Sequence, residues 1–577
     1  NVVTRKSRSI MAYEYLGLGS VPKDQKYRFN WNAPIFASPH DPTIIYHAAN
    51  VLFKTADGGD SWEIISPDLT KNDIEKHDLG SVPFTNEAAG GEVYNTIMYA
   101  VESIHEKGEI WAGSDDGLIH LTQDGGKSWN NVTPKGMNEG IVNSIEISPH
   151  DKGTVYVAFT RYKFGDLSPS IYKTTNYGKS WTKRVKGIED DAFVRVVRED
   201  PLKRNLLYAG TETGLYLSLD GGKLWEKFQL NLPIVPITDL TIRNNDLVAS
   251  TQGRSFWILD DLTQIHQYDR KITSEDFHLF KPGIAYRTSG GSSRSKTIGQ
   301  NPPNGAVIIY HLSNKPEKDT NAKLEILFED KVIRTINSKP GESAITFDGG
   351  VYSSPTISLK KGMNRFLWNY RIDDITMVKD VSFYGSYSGY RMGPGNYTVR
   401  FSLGKESMEQ PLTVKRDPRI EVKDRDNRAH QQMMSDLYMQ INDLHDSISK
   451  ARNIRTQIKR MNIEIDGMND MEELLQTGKE AIDALNQWEG NVVQTKMETF
   501  QDVVNFLNRL NSHMINLLGT IDGSDPPLTQ GQIDRYSDLT DEWYNYKKKL
   551  DEIIDEQIRS YNELYRLAGL PAIIIKD

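Results

Sequence analysis

An octapeptide of the form [ST]-x-[DN]-x-G-x-x-W occurs four times in the first half of the chain and constrains its fold more than any other feature. The copies run Thr55–Trp62, Thr122–Trp129, Thr174–Trp181 and Ser218–Trp225. Each follows a short alternating or aromatic-rich run of strand character: Val51-Leu-Phe-Lys, Leu118-Ile-His-Leu, Ile171-Tyr-Lys and Leu215-Tyr-Leu. The pattern is hairpin-turn chemistry. An Asp or Asn oxygen accepts from backbone N–H groups a few residues on, glycine supplies a positive φ, and the Thr or Ser hydroxyl closes the loop. Asp57, Gly59 and Trp62 are therefore read as turn formers, as are Asp124, Gly126 and Trp129, Asp220, Gly222 and Trp225. The third copy departs from the rest, with Asn176 for Asp and Tyr177 for the first Gly, but Asn176, Gly178 and Trp181 still satisfy the turn.

From residue 57 to 124, 124 to 176 and 176 to 220 the intervals are 67, 52 and 44 residues. About 40 to 50 residues suit one four-stranded propeller blade, so the first interval carries an insertion. A second marker keeps the same phase: Ser38-Pro-His-Asp-Pro42, Ser148-Pro-His-Asp-Lys152 and Arg198-Glu-Asp-Pro201 each precede a strand. A fifth unit at 245–261 has the strands but lacks the octapeptide, as terminal repeats often do. Residues 1–266 are expected to be β-propeller blades, the C-terminal part of a larger propeller. The opening residues carry neither an initiator Met nor an apolar signal core, which fits a processed or truncated start.

These octapeptides resemble the bacterial neuraminidase repeat, or Asp box, of sialidases, xyloglucan-degrading enzymes, sortilin (Vps10) propellers and photosystem assembly factors. Tyr27–Pro34, Ser66-Pro-Asp-Leu-Thr70 and Thr251–Asp261 narrow the resemblance to sortilin-like proteins of the bacterial envelope, of the type labelled "glycosyl hydrolase, BNR repeat". It continues through Asn301–Gly305, Gly362–Trp368 and Asp417–Arg419. It implies a secreted or cell-envelope protein, in the periplasm or at the cell surface, and a place in an outer-membrane or cell-surface complex. The hydrolase label rests on the repeat and does not name an activity.

Past residue 266 the repeats stop. Alternating runs at Ala306–Tyr310, Lys323–Phe328, Lys331–Arg334, Arg365–Tyr370 and Tyr397–Ser402 predict an immunoglobulin-like β-sandwich over 277–420, with Gly393-Pro-Gly-Asn396 turning into an edge strand. From 424 the period changes. Met434, Leu437, Ile441, Leu444, Ile448, Ala451 and Ile458 form a helical seam, and further seams predict a four-helix bundle over 424–570, with Asp470 and Thr499 as N-caps. Trp543, Tyr544, Tyr546, Tyr561 and Tyr565 exceed one seam and suggest docking on the sandwich. Residues 571–577 are expected to form a terminal strand. The whole reads as multidomain and mainly β.

Composition narrows function. A net charge of -9 with no Lys/Arg block disfavours nucleic acid. The absence of cysteine removes disulfides, Cys-ligated zinc and Cys nucleophiles. No run approaches the roughly 20 apolar residues of a membrane span. The 12 histidines include no HExxH, so no metal site and no cofactor is expected. A sialidase would need three converging arginines, and Arg161, Arg195, Arg198 and Arg254 lack that context. No catalytic set is recognised. The carboxylates on blade loops, Asp115, Asp116 and Glu212, together with Arg254, are candidate ligand-facing residues, although Gly113-Ser-Asp-Asp-Gly117 and Gly210-Thr-Glu-Thr-Gly214 also read as plain hairpin turns. The long insertion Ser66–Val93 is the better functional suspect, since long loops on a rigid scaffold carry binding. The expected function is a non-catalytic extracellular or envelope scaffold that binds a protein, peptide or glycan. The alternative is a glycoside hydrolase acting on a complex polysaccharide, which leaves enzyme status open and leaning against.

Overall fold

The computed structural model describes residues 5–569 apart from 87–90, 289–294, 296–297, 318, 342, 346–350, 382, 384 and 497–499. The chain is mainly β with a C-terminal helical segment, and it divides into one unit ending at Leu262 and a second beginning at Thr263.

In the first unit five antiparallel sheets follow one another, spanning 35–64, 97–131, 141–183, 194–227 and 237–259. Four have four strands and the fifth has three, each a meander in chain order. The opening strands of the second to fifth sheets, Ile97–Glu102, Ile141–Ile147, Val194–Glu199 and Ile237–Arg243, lie side by side in succession. Glycine permits that approach: a Cβ on Gly113 would stand 2.3 Å from Val142, and one on Gly210 would stand 2.7 Å from Ile237. Between sheets the core is aliphatic and aromatic, with Tyr156, Ala158, Val194, Val197, Leu207 and Trp225 buried between the third and fourth. The far side of the first sheet is covered by residues before it, where Met11, Tyr15, Tyr27 and Phe29 pack on Val51, Phe53 and Trp62. The far side of the fifth sheet leaves Phe256 and Ile258 exposed.

In the second unit a three-stranded sheet (Phe277–Leu279, Ala306–Leu312, Gly362–Trp368) and a five-stranded sheet share one core built on Ile308, Tyr310, Leu324, Trp368, Val399 and Phe401. The strand entered through Gly393-Pro-Gly-Asn396 is not an edge strand. Gly395–Leu403 is paired on both sides, by Ala322–Phe328 and by Glu406–Arg416. The second partner was hidden in the sequence because only Leu412 and Val414 of its eleven residues are buried.

The helices run Asp424–Ile465, Glu472–Val492, Leu510–Asp522 and Gln530–Ile553, the last continuing through one π-helical turn, Ile554–Ile558, into Arg559–Leu567. The predicted seam is buried along the first helix, and its gap at Arg455 is filled by an ion pair to Glu489 at 2.5 Å. Asp470 is not an N-cap: it adopts φ +60° in the preceding loop, and the helix starts at Glu472. The third helix starts at Leu510, well after Thr499, which lies outside the described residues together with 571–577. The tyrosines and tryptophan of the last helices serve the bundle rather than the sandwich. Trp543 donates to Asp443 at 3.1 Å and Tyr561 to Asn462 at 2.7 Å, while Tyr544 is exposed. A segment that no periodicity announced, 372–390, adds Ile372, Ile375, Val378, Val381, Phe383, Tyr387 and Tyr390 to the helical core.

Candidate functional site

A meander puts alternate turns at opposite ends of its sheet. The octapeptides and the Ser-Pro-His-Asp turns therefore share one end of the row. The hairpins between second and third strands share the other end with the connections from sheet to sheet.

At the octapeptide end the side chains of each turn bond to groups of the same turn. Asp124 accepts from Thr122 Oγ1 at 2.8 Å, Ser128 N at 2.9 Å and Ser128 Oγ at 2.6 Å. Those bonds, led by the Ser128 hydroxyl, pull its pKa down to about 2. Asp57, Asn176 and Asp220 repeat the arrangement with Ser61, Ser180 and Leu224 N, and Gly59, Gly126, Gly178 and Gly222 all adopt positive φ. The tryptophans reach backwards: the indoles of Trp129, Trp181 and Trp225 donate to Ile65, Val132 and Arg184 carbonyls of the preceding sheet at 2.9, 2.7 and 3.0 Å. The histidines reach forwards, His40, His105 and His150 donating from Nε2 to the carbonyls of Ser103, Ser148 and Asp200 at 2.7, 2.9 and 2.7 Å. This end is stitched, and the octapeptide carboxylates are spent within their own turns.

At the opposite end the two adjacent aspartates of one hairpin meet different fates. Asp116 is fully buried and accepts from Asn95 Nδ2 at 2.5 Å, Ser114 Oγ at 2.5 Å and the Lys71 backbone at 2.8 Å. It thereby anchors the 66–96 insertion to the second sheet. Asn95 continues the anchor, accepting from Asp73 N at 2.9 Å and from His77 Nε2 at 2.7 Å. On the same insertion Asp68 accepts from Arg28 and Asn50, both at 2.8 Å. Asp115 instead stands on the wall of a cavity of about 460 Å³. Its carboxyl accepts from Thr96 N and Thr96 Oγ1, both at 2.9 Å. Burial, reinforced by the neighbouring Asp116, pushes its pKa up to about 8, so it is a neutral acid at pH 7.

The rest of that wall combines Asn30, Trp31, Phe84, Glu92, Tyr162 and Lys163. Trp31 and Tyr162 are 67% and 38% exposed, which is high for rings at a cavity. Beside it runs a row of cations over aromatic faces: Lys76 over Phe84 at 4.7 Å, Arg161 over Phe164 at 5.4 Å and Arg195 over Phe193 at 5.1 Å. Each has a carboxylate partner, Glu139 at 2.8 Å, Asp166 at 3.0 Å and Glu212 at 2.7 Å. Glu212 is thus held by Arg195, and Arg198 pairs with Asp239 at 2.7 Å. Arg254 is exposed on a tight turn of the fifth sheet and donates to the adjacent Gly253 carbonyl at 3.0 Å. Of the four candidate ligand-facing residues, the structure brings Asp115 alone onto this cavity wall. The residues that sequence reasoning passed over, Trp31, Tyr162 and Lys163, carry no signal beyond being aromatic or charged in a loop. Among the described residues no cluster of His, Asp and Glu is arranged to hold a metal ion, and no helix is long and apolar enough to cross a membrane.

No family model and no curated protein matches the chain. Among solved structures, YCF48 bound to D1 peptide is 15% identical over 41% of this chain, with a TM-score of 0.28. A GH74 xyloglucanase from Xanthomonas campestris is 14% identical over 65% of it, with a TM-score of 0.31. An extracellular domain from B. thetaiotaomicron is 12% identical over 67%, with a TM-score of 0.27. The matches span 64%, 63% and 49% of those three chains, less than two thirds of each. At such scores the likeness carries no argument about what this chain does.

Proposed function

We propose that the first unit is part of an Asp-box β-propeller of the sortilin-like type, closed by further blades, and that it binds a protein, peptide or glycan ligand without transforming it. The second unit is read as an immunoglobulin-like sandwich and helical bundle serving as spacer or assembly platform in a secreted or envelope protein. The observation that carries the binding role is the cavity beneath the insertion. Exposed aromatic rings there share a wall with amides, a lysine and a neutral acid, and the insertion is fixed in place by buried polar bonds to Asp116 and Asn95 and by the burial of Leu69. Rings plus a few placed polar groups on a rigid frame are what recognition sites are made of.

One observation favours the second reading, a glycoside hydrolase. Asp115 is held in the protonated form that a general acid needs, and Glu92 supplies another carboxyl on the same wall. A glycosidase would require the two carboxyls about 5 to 9.5 Å apart across a bound sugar. Peptide and glycan arrays probed with wild type and with Trp31→Ala and Tyr162→Ala variants decide the matter. Retention of a ligand by wild type, weakened about tenfold or more in either variant, supports binding. Turnover of a polysaccharide or aryl glycoside that Asp115→Asn abolishes would replace this reading with the hydrolase.

A further inference from the structure

The second unit contains a cavity of about 490 Å³ between the last turns of the Leu510–Asp522 helix and the 385–391 stretch. We propose that this cavity is a binding site for a small oxyanion, a carboxylate or phosphate-type group, received by Arg371 and Arg391. The two arginines face each other on an isolated antiparallel bridge. Like charges directly opposite repel, so the arrangement needs anionic company. The structure supplies one carboxylate for both. Asp522 lies 3.0 Å from Arg371 Nη2 and 3.1 Å from Arg391 Nε, and its side chain is only 6% exposed. A third guanidinium, Arg287, is close enough for Arg391 to matter. Burial first and Arg391 second hold its pKa below the usual arginine value, against the opposing pull of Asp522 and Asp525. The C-terminal end of the helix offsets part of the remaining positive charge through its carbonyls.

The donors fit an anion. Arg371 spends Nη1 on the Gly389 carbonyl at 2.5 Å, and Arg391 spends Nε on Asp522 and its second terminal nitrogen on the Asp522 carbonyl. Arg371 Nε and Arg391 Nη1 are left without an acceptor among the described residues. Ser386 and Ser388 also line the cavity, the Ser386 hydroxyl donating to that of Ser388 at 3.0 Å. Glycine at 385 keeps the two sides close, since a Cβ there would lie 2.6 Å from Ile515. Planar guanidinium forks with unspent N–H groups match the oxygens of carboxylate or phosphate in pairs. The competing role for the two arginines is to cap the helix end, which requires no ligand.

Titration of the intact chain with acetate, sulfate and inorganic phosphate, against chloride at equal ionic strength, separates the two. Saturable binding of one oxyanion, weakened about tenfold or more in Arg371→Gln and partly kept in Arg371→Lys, is the expected result. The acetate and phosphate arms identify which oxyanion is preferred. In wild-type protein the Nε–H signals of Arg371 and Arg391 should shift with the preferred anion and not with chloride, a reading that does not depend on any variant folding. Equal behaviour of all three oxyanions and chloride, or unchanged binding in a folded Arg371→Gln protein, would overturn the site in favour of the cap.

Discussion

The two ends of the five sheets are built from the same strands yet obey different rules. At the octapeptide end each turn solves its own polar problem within a few residues, and the last three copies spend one further indole bond on the preceding sheet, whereas the Trp62 N–H of the first is buried without an acceptor among the described residues. At the opposite end the sheet-to-sheet connections differ in length, the polar bonds that anchor the insertion run between residues far apart in the chain, and Asp115 and Glu92 stand on a cavity wall. Repetition marks the part that holds the fold, and irregularity marks the part free to acquire a ligand. The electrostatics divide the same way: Asp124 is held down near pKa 2 by hydrogen bonds, whereas Asp115 is lifted to about 8 by burial.

The strongest way to break the contrast is to damage the stitched end. Gly126 sits at φ +98°, and a Cβ there would lie 2.4 Å from the Ile65 carbonyl oxygen. Gly126→Ala should cost about 3 kcal/mol or more in urea denaturation of the first unit. A loss below about 1 kcal/mol would mean that these turns are not rigid. The second test uses pH. Because the folded-state pKa of Asp115 is raised above its ordinary 3.8, the folded state holds a proton that the unfolded state releases, and stability falls as pH rises from 3.8 towards 8. Asp115→Asn mimics the protonated acid. It should match wild type near pH 4 and exceed it by roughly 5 kcal/mol at pH 8. A constant difference between the two proteins from pH 4 to 8 would show that the carboxyl is solvated. The smallest effect is expected from Trp129→Phe, which keeps the ring but removes the indole bond to Ile65 and should cost about 1 kcal/mol. If its effect equals that of Gly126→Ala, the stitch rather than the turn carries the end.

Legibility in the sequence follows the same division. The octapeptide turns could be read because their partners are two to four residues away, as with Asp124 and Ser128. The anchor of the insertion could not, because Lys71 and Asp116 are 45 residues apart and nothing in either neighbourhood marks the pairing. Asp115 and Asp116 are chemically identical neighbours in the chain, and packing alone decides that one is an anchor and the other lines a cavity. Ser66–Val93 stood out by its length, and its described residues 82–86 and 91–93 lie on the cavity wall. Trp31 stood out only as part of Tyr27–Pro34, and Tyr162 by nothing. In the second unit the long first helix and the strands with a clear alternation stood out, but the helix expected from Thr499 starts only at Leu510. The stretch from 372 to 390, rich in Gly, Ser and Tyr and with no period, gave no hint of its role.

That stretch alters how the second unit should come apart. Its chain belongs to the region of the sheets, yet Phe383, Tyr387 and five more of its side chains are buried with the helices, and the backbone of Thr376 is clamped on both sides, its N–H by Asn442 at 2.7 Å and its carbonyl by His445 at 2.7 Å. Melting the bundle would strip those side chains of their cover, and unravelling the sheets would pull them out of the bundle. The sheets and helices past Thr263 should therefore share one calorimetric transition. Protonation of His445, whose pKa burial lowers to about 4, should weaken that transition as pH falls below the ordinary 6.5.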